Sequence, residues 1–354
     1  MLQTGHPRDW HDMLSASITT AGEIAKHLPV DPSHIRNVIS RYPMRINPYY
    51  LSLIKSSKSK EGGLFKQVVP DIQEISNDNL VSDPLYEEIQ SPVPNLIHRY
   101  PNRILFMVSN HCPVYCRFCM RKRKVGNPFA VTQKTINDGI AYIKQNRSIH
   151  EVIVSGGDPL LLEDEELNSI MDQLRSVKHI EIIRIHTRVP CALPQRITPA
   201  LAKMLSRHHP VFMNIHFNHP DEITTESSTA CAILADAGIP LGSQTVLLKG
   251  INNDPAIIKK LMLGLLKIRV KPYYLHHPDP VRGTRHFRTP IKEGLDILKK
   301  LRGHTSGLCV PSYMIDLPEG GGKVPLLPEY KKDFLENSLT IENYQGKVFD
   351  YPED

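Results

Sequence analysis

Residues 104–121 read Ile104-Leu105-Phe106-Met107-Val108-Ser109-Asn110-His111-Cys112-Pro113-Val114-Tyr115-Cys116-Arg117-Phe118-Cys119-Met120-Arg121. The first five are apolar, the length and texture of a buried strand. Three cysteines follow within eight residues, spaced C-x3-C-x2-C. Thiolates this close on a loop can converge on one soft metal centre. Structural zinc usually takes four ligands. Three cysteines with no fourth nearby suit an iron–sulfur cluster with one iron left open. Cys116 and Cys119 alone would pass for a redox pair or half a zinc knuckle. Cys112, and the aromatic Phe118 before Cys119, argue against both.

Downstream, short apolar runs alternate with helical patterns. The runs are Ile104–Val108, Glu151–Ser155, Ile180–His186, Val211–His216, Leu241–Leu248 and Val270–Leu275. Helical periodicity falls at Thr135–Lys144, Glu165–Arg175, Pro199–Arg207, Thr229–Ala237 and Pro255–Lys267. Such alternation predicts a parallel sheet. No GxGxxG follows the first strand, so a barrel-type wrap is favoured over a dinucleotide-binding sheet. The cysteine loop, the turn Gly156-Gly157-Asp158-Pro159, His216, Gln244 and Asp279 sit at or just past strand C-termini. That end is the catalytic face of such barrels. His216 alone could be a satisfied core histidine and Gln244 a strand-end surface residue; their shared placement favours function.

Residues 1–97 read as a helical lead-in in which nothing announces chemistry. Trp10, Met13, Leu14 and Ile18 share a helical face, and Thr20, Ile24 and Leu28 suggest a second short helix. Ser56–Gly63 reads as a polar loop, and Asn77-Asp78-Asn79 and Ser82-Asp83-Pro84 as turns. Residues 98–308 form the barrel region and 309–354 the final segment. That segment opens with a strand pattern ending at Asp316, then Gly320-Gly321-Gly322-Lys323. Triple glycine lets backbone approach an anion closely, but the Walker spacing is absent. The residues after Lys323 read as an extended tail.

Composition narrows the class. The chain has 354 residues, 40% of them apolar, and a net charge of +6. That charge suits small anionic ligands as well as nucleic acid and decides little. There is no apolar signal core at the N-terminus and no apolar run of about 18 residues. The expectation is a cytoplasmic protein without a membrane span, whose six cysteines are ligands and buried thiols rather than disulfides. A zinc-dependent nucleic-acid module would draw on Arg121-Lys122-Arg123-Lys124. It lacks a second cysteine pair and aromatic interleaving, and leaves the barrel unexplained.

Together these motifs resemble the lysine 2,3-aminomutase family, radical S-adenosylmethionine (SAM) enzymes that also use pyridoxal phosphate (PLP). The resemblance runs from Asp9-Trp10 through Pro48-Tyr49-Tyr50, Leu193-Pro194-Gln195-Arg196, His216-Phe217-Asn218-His219-Pro220 and Leu301-Arg302-Gly303-His304 to Pro328-Glu329-Tyr330. It implies an α/β fold, a partial (β/α)6 barrel of TIM type with an N-terminal helical extension and a C-terminal segment carrying the PLP lysine. It implies a [4Fe–4S] cluster on Cys112, Cys116 and Cys119. Gly156, Gly157, Asp158, His216 and Gln244 would contact SAM. Lys323 would form the Schiff base with PLP, and Arg99 and Arg103 would hold its phosphate. Arg121 would pair with the substrate carboxylate, and Asp279 and Asp316 would grip its distant ammonium.

The implied reaction interconverts L-lysine and L-β-lysine by radical migration of the amino group. The implied partners are L-lysine and an electron donor such as flavodoxin or ferredoxin, with a homo-oligomer possible. A guanidinium is suited to orienting a carboxylate, and two carboxylates at one place disfavour an acidic substrate. The nearest alternative is the short relative that makes (R)-β-lysine for elongation factor P. Two departures stand out. Glu319 replaces the first of the four glycines usual in the family, and His276 stands where many members have tyrosine. Larger members continue into a zinc-binding cysteine segment; no cysteine follows Cys309 here, so no structural zinc is expected.

Overall fold

The computed structural model describes residues 9–57, 62–76, 79–126, 131–335 and 338–352. Parts of the Ser56–Gly63 loop and of the Asn77–Asn79 turn lie outside them. Nine strands form one sheet in sequence order: β1 (Leu96–Tyr100), β2 (Arg103–Ser109), β3 (Glu151–Gly156), β4 (Ile182–Thr187), β5 (Val211–Ile215), β6 (Leu241–Val246), β7 (Lys271–His276), β8 (Ser312–Leu317) and β9 (Gly322–Leu326). β2 through β8 run parallel. β1 and β9 are antiparallel flaps on the two edges. Helices Gln133–Gln145, Asp164–Arg175, Pro199–Ser206, Thr225–Asp236, Pro255–Lys267 and Ile291–Leu301 return the chain between successive parallel strands. Buried Ile, Leu, Val and Met from strands and helices form one continuous core. This is the expected barrel, six strand–helix units closed by a seventh parallel strand.

Three elements differ from the reading of the sequence. β1 precedes the expected first strand and forms a hairpin with it, through Pro101-Asn102. The helix Ile291–Leu301 carries Gly294, which weakens its local signal. That glycine makes room for the Tyr313 ring of β8: a Cβ there would lie 2.2 Å from Tyr313 Cζ. The residues after Lys323 are more than an extended tail. β9 completes the barrel sheet, and β10 (Lys331–Leu335), β11 (Ser338–Glu342) and β12 (Val348–Pro352) pair into an antiparallel sheet. Glu342 ties that sheet to the barrel through Lys299, with Lys332 as its second partner.

The N-terminal helices form a second core around Ile24, Ile46, Tyr50, Leu64 and Val68. It closes on Val114 of the cysteine loop and on Ala192 just past β4. Asn47 pins the junction. Its Oδ1 caps the helix Pro48–Ser56 through Tyr50 N (2.9 Å), while Nδ2 donates to Pro113 O (3.0 Å) and Ala192 O (2.8 Å).

A buried ionic triad locks the same layer to the loop. Arg117 and Lys122 both donate to Glu74, at 2.6 and 2.7 Å. Burial opposes the charge of Glu74, yet these two cations hold its carboxyl below the usual carboxylate range. Replacing Glu74 with alanine strands two buried cations. A stability loss of about 3–5 kcal/mol is expected, read as a lower midpoint in a urea titration.

Candidate active site

The C-terminal ends of the parallel strands surround a cavity of ≈ 480 Å³, within the size range of small-molecule and cofactor sites. Every residue named above for a site role lines it: Cys112, Cys116, Cys119, Gly156, Gly157, Asp158, His216, Gln244, Arg99, Arg103, Arg121, Asp279, Asp316 and Lys323. Glu87, Arg184, His186, Arg188, Tyr274 and His276 line it as well.

The cysteine loop leaves β2 and crosses the barrel mouth. None of the six cysteines is in a disulfide, and Cys191, Cys231 and Cys309 are buried outside the loop. Burial pushes the Cys119 thiol up to about 11, and the Cys116 sulfur adds to the effect. Burial likewise raises Cys112, which also feels Asp158 and the other two sulfurs. Among the described residues no group of His, Cys, Asp and Glu is arranged to hold one metal ion. A cubane cluster needs no such convergence, because each thiolate binds a different iron. Three cysteines lining one cavity wall, with no fourth cysteine among the lining residues, fit a cluster with one iron left open.

The glycine turn serves the loop directly. A Cβ on Gly156 (φ +139°) would lie 2.2 Å from Ser109 O, and one on Gly157 2.4 Å from His111 O. Gly157 N donates to Ser109 O and Asp158 N to His111 O, each at 2.6 Å. The Asp158 carboxylate accepts from Thr187 Oγ1 (2.7 Å), Arg188 N (2.7 Å) and Leu160 N (3.2 Å). The side chain thus fastens β3 to β4, and it is the backbone glycines that keep the cavity wall thin. His216 is half-buried and bonded to Asn218 Oδ1 at 3.0 Å. Burial, helped by Arg188, pushes its imidazole down to about 4, so it is neutral at pH 7.

At the far side, β8 and β9 pair with Asp316 directly opposite Lys323. The Lys323 ammonium is bound to the Asp316 carboxylate, and Lys323 N donates to Tyr100 OH at 2.7 Å. That bond bridges the open seam between β1 and β9. Arg99 adds a second bridge, to Asp316 at 3.4 Å. Its other donors go to Gln90 Oε1 (2.8 Å) and Leu85 O (3.1 Å). Arg103 lies over the Tyr100 ring, 4.1 Å from its centroid. Arg103 and Arg184 both act on the Tyr274 phenol. Glu319 takes φ 58°, ψ 23°, a left-handed conformation glycine adopts freely and other residues at a cost of about 1–2 kcal/mol.

Asp279, three residues past β7, shares this end of the cavity. Burial and then the charge of Asp316 push its carboxyl up to about 7, while Lys323 and Arg99 pull the other way. The folded protein therefore holds a proton on Asp279 that the unfolded chain releases nearer the ordinary aspartate value of 3.8. Its contribution to stability falls as pH rises from about 4 to about 7. Attraction of a cation to the pair runs oppositely, growing as pH passes through about 7.

Sequence reading missed the residues that the N-terminal layer sends in. Glu87 is buried and grips Arg121 at 2.7 Å. Burial opposes its charge, but Arg121, Arg123 and Lys124 hold the carboxyl down to about 2. The basic run Arg121–Lys124 is thus neutralised by carboxylates of the N-terminal layer: Arg121 with Glu87, Lys122 with Glu74 (2.7 Å), Arg123 with Asp83 (3.1 Å) and Lys124 with the exposed Glu88 (2.8 Å). A nucleic-acid patch would need those charges facing outward. Arg188 is the second omission: its guanidinium reaches Cys116, Tyr50, Gln67 and Glu222.

A parallel barrel with a three-cysteine loop over the C-terminal end of its first parallel strand defines a radical SAM protein. The Radical SAM superfamily profile matches residues 106–261, and that of Lysine-2,3-aminomutase matches residues 298–354. L-lysine 2,3-aminomutase of Acetoanaerobium sticklandii is 45% identical over 352 residues, 98% of this chain and 84% of that protein. The Clostridium subterminale enzyme of the same name is 43% identical over 350 residues, with the same two shares. Glutamate 2,3-aminomutase of Clostridioides difficile is 40% identical over 351 residues, 97% of this chain and 83% of that protein. The chain belongs to the lysine 2,3-aminomutase family. It is an isomerase of the radical SAM aminomutase type, with a [4Fe–4S] cluster, SAM and PLP as its cofactors. Among the described residues, no helix is long and apolar enough to cross a membrane.

Proposed function

We propose that this aminomutase acts on L-lysine and forms L-β-lysine. One observation carries the choice of substrate. Asp316 already binds an alkylammonium, that of Lys323, and Asp279 lies in the same field. Two carboxylates at one end of a buried cavity accept a lysine side chain. They repel the carboxylate of glutamate, the substrate named for one relative.

In this reading Cys112, Cys116 and Cys119 hold the cluster, and Gly156, Gly157, Asp158, His216 and Gln244 form the SAM wall. Lys323 is the PLP lysine, and Arg99 and Arg103 face the cofactor phosphate. When bound, the cluster with SAM supplies a hydrogen-abstracting 5′-deoxyadenosyl radical, and PLP supplies a carrier for the migrating nitrogen. The chain's own task is placement. Arg121, held by Glu87, turns its guanidinium to the substrate α-carboxylate. Asp279 and Asp316 fix the ammonium at the opposite end, stretching the substrate across the cavity. Apolar walls such as Ile97, Ile153 and Val246 keep water from a primary radical. A one-electron carrier of the flavodoxin or ferredoxin class is the reductant.

Turnover of L-lysine, L-glutamate and L-arginine by the anaerobically reconstituted protein tests this reading. L-lysine is expected to have the highest kcat/KM; a preference for L-glutamate contradicts it. For L-lysine, kcat/KM is expected to rise with pH through about 7, where Asp279 ionises. Asp279→Asn removes that inflection.

A further inference from the structure

The buried guanidinium of Arg188 has no part in the roles assigned above. It follows β4 directly and is 6% exposed. Nη1 rests on Cys116 Sγ. Nη2 donates to Gln67 Oε1 (2.6 Å), Glu222 Oε1 (2.8 Å) and Tyr50 OH (3.3 Å). Its backbone N donates to Asp158 Oδ2 at 2.7 Å. The N-terminal layer supplies Tyr50 and Gln67, and the barrel supplies Glu222 and Asp158. Arg188 is therefore held from both sides with Nη1 on the Cys116 sulfur, and its charge also acts on the buried Cys191 thiol.

We propose that Arg188 is a positioning residue that raises the reduction potential of the cluster through Cys116, with Glu222 as the opposing charge. The inference rests on the reading of Cys116 as a cluster ligand. Reduction of [4Fe–4S]2+ to [4Fe–4S]1+ takes one electron from the carrier, with no bond made or broken. The added negative charge spreads onto the thiolate sulfurs. A charged N–H donor on one of them stabilises the reduced form more than the oxidised one. The effect is large because the pair is buried, where charges are weakly screened. Glu222 lies on the other edge of the same guanidinium and works against it. Its carboxylate keeps three further donors, Tyr50 OH (2.7 Å), Asn218 N (2.6 Å) and His219 N (2.9 Å). It is thus provided for when Arg188 is changed.

The sign of the shift separates this role from a structural one. If Arg188 only filled space, its loss would admit water to the cluster, and the potential would rise or stay. The test is an anaerobic potentiometric titration of the SAM-free reconstituted protein, following the EPR signal of the reduced cluster and assaying iron and sulfide. Arg188→Gln is expected to lower the midpoint. At a fixed potential its reduced-to-oxidised ratio falls about tenfold, equivalent to about 59 mV for one electron. Arg188→Lys should lie between Gln and wild type, and Glu222→Gln should move the midpoint upward. An unchanged or higher potential in cluster-loaded Arg188→Gln overturns the proposal. If that variant does not retain iron, Glu222→Gln decides alone, and an unchanged or lower potential overturns it. Full cluster content in Cys116→Ala would instead overturn the ligand reading beneath it.

Discussion

Lys323→Ala is expected to abolish turnover and the visible absorbance of lysine-bound PLP, while iron and sulfide content stay at the wild-type level. The reasoning is positional. β8 and β9 pair so that Lys323 stands opposite Asp316, on a different strand from the cysteine loop, which follows β2. Gly322 (φ +89°) places the backbone against Tyr100, where a Cβ would come within 3.1 Å of the hydroxyl. The lysine is thus aimed by a strand and a seam contact, and its hydrogen bonds go to Asp316 and Tyr100 rather than to the cysteine loop. An amine is needed to hold the cofactor covalently, and alanine has none. Persistence of the absorbance band would show that another lysine holds PLP. Loss of iron would show that the two halves of the site are not independent.

Asp316→Asn carries the second large effect. It removes one of two carboxylates from a site that holds an ammonium and strands the second on a cation it can neutralise only partly. The expected loss is about 3 kcal/mol, or roughly two orders of magnitude in kcat/KM for L-lysine. Most of it falls on KM, because the ammonium is held equally in the ground and transition states. Asp316 also meets Arg99 and Lys323, so PLP content must be measured alongside. Asp279→Asn, whose carboxyl acts on Lys323 through the field rather than through a hydrogen bond, is the control. A normal KM in both variants removes the pair from the substrate site.

The cysteine loop, the glycine turn and the parallel alternation were legible in the sequence because each is a local signal. Close thiols, adjacent glycines and strand-length apolar runs declare themselves within ten residues or so. Glu87 was not legible, because its meaning depends on Arg121, 34 residues away in sequence. Gln67, Tyr50 and Arg188 were hidden for the same reason: each looks like ordinary helix or loop until the N-terminal layer closes on the barrel. The basic run at Arg121–Lys124 offered a nucleic-acid reading that the sequence could reject only on other grounds, since sequence shows charge but not the carboxylates that absorb it. The glycine turn was legible as a site, yet its first physical duty is to let Ser109 and His111 pass. The C-terminal sheet was missed because its strands are short and prolines stand before β10, at Pro325 and Pro328.

The decisive measurement is the product formed from L-lysine. The protein is purified without oxygen, reconstituted with iron and sulfide, and supplied with SAM, PLP and a strong reductant, and the products are resolved on a chiral column. L-β-lysine is the predicted result. The opposite enantiomer, or no β-amino acid from a protein with intact cluster and bound PLP, contradicts the proposed reaction.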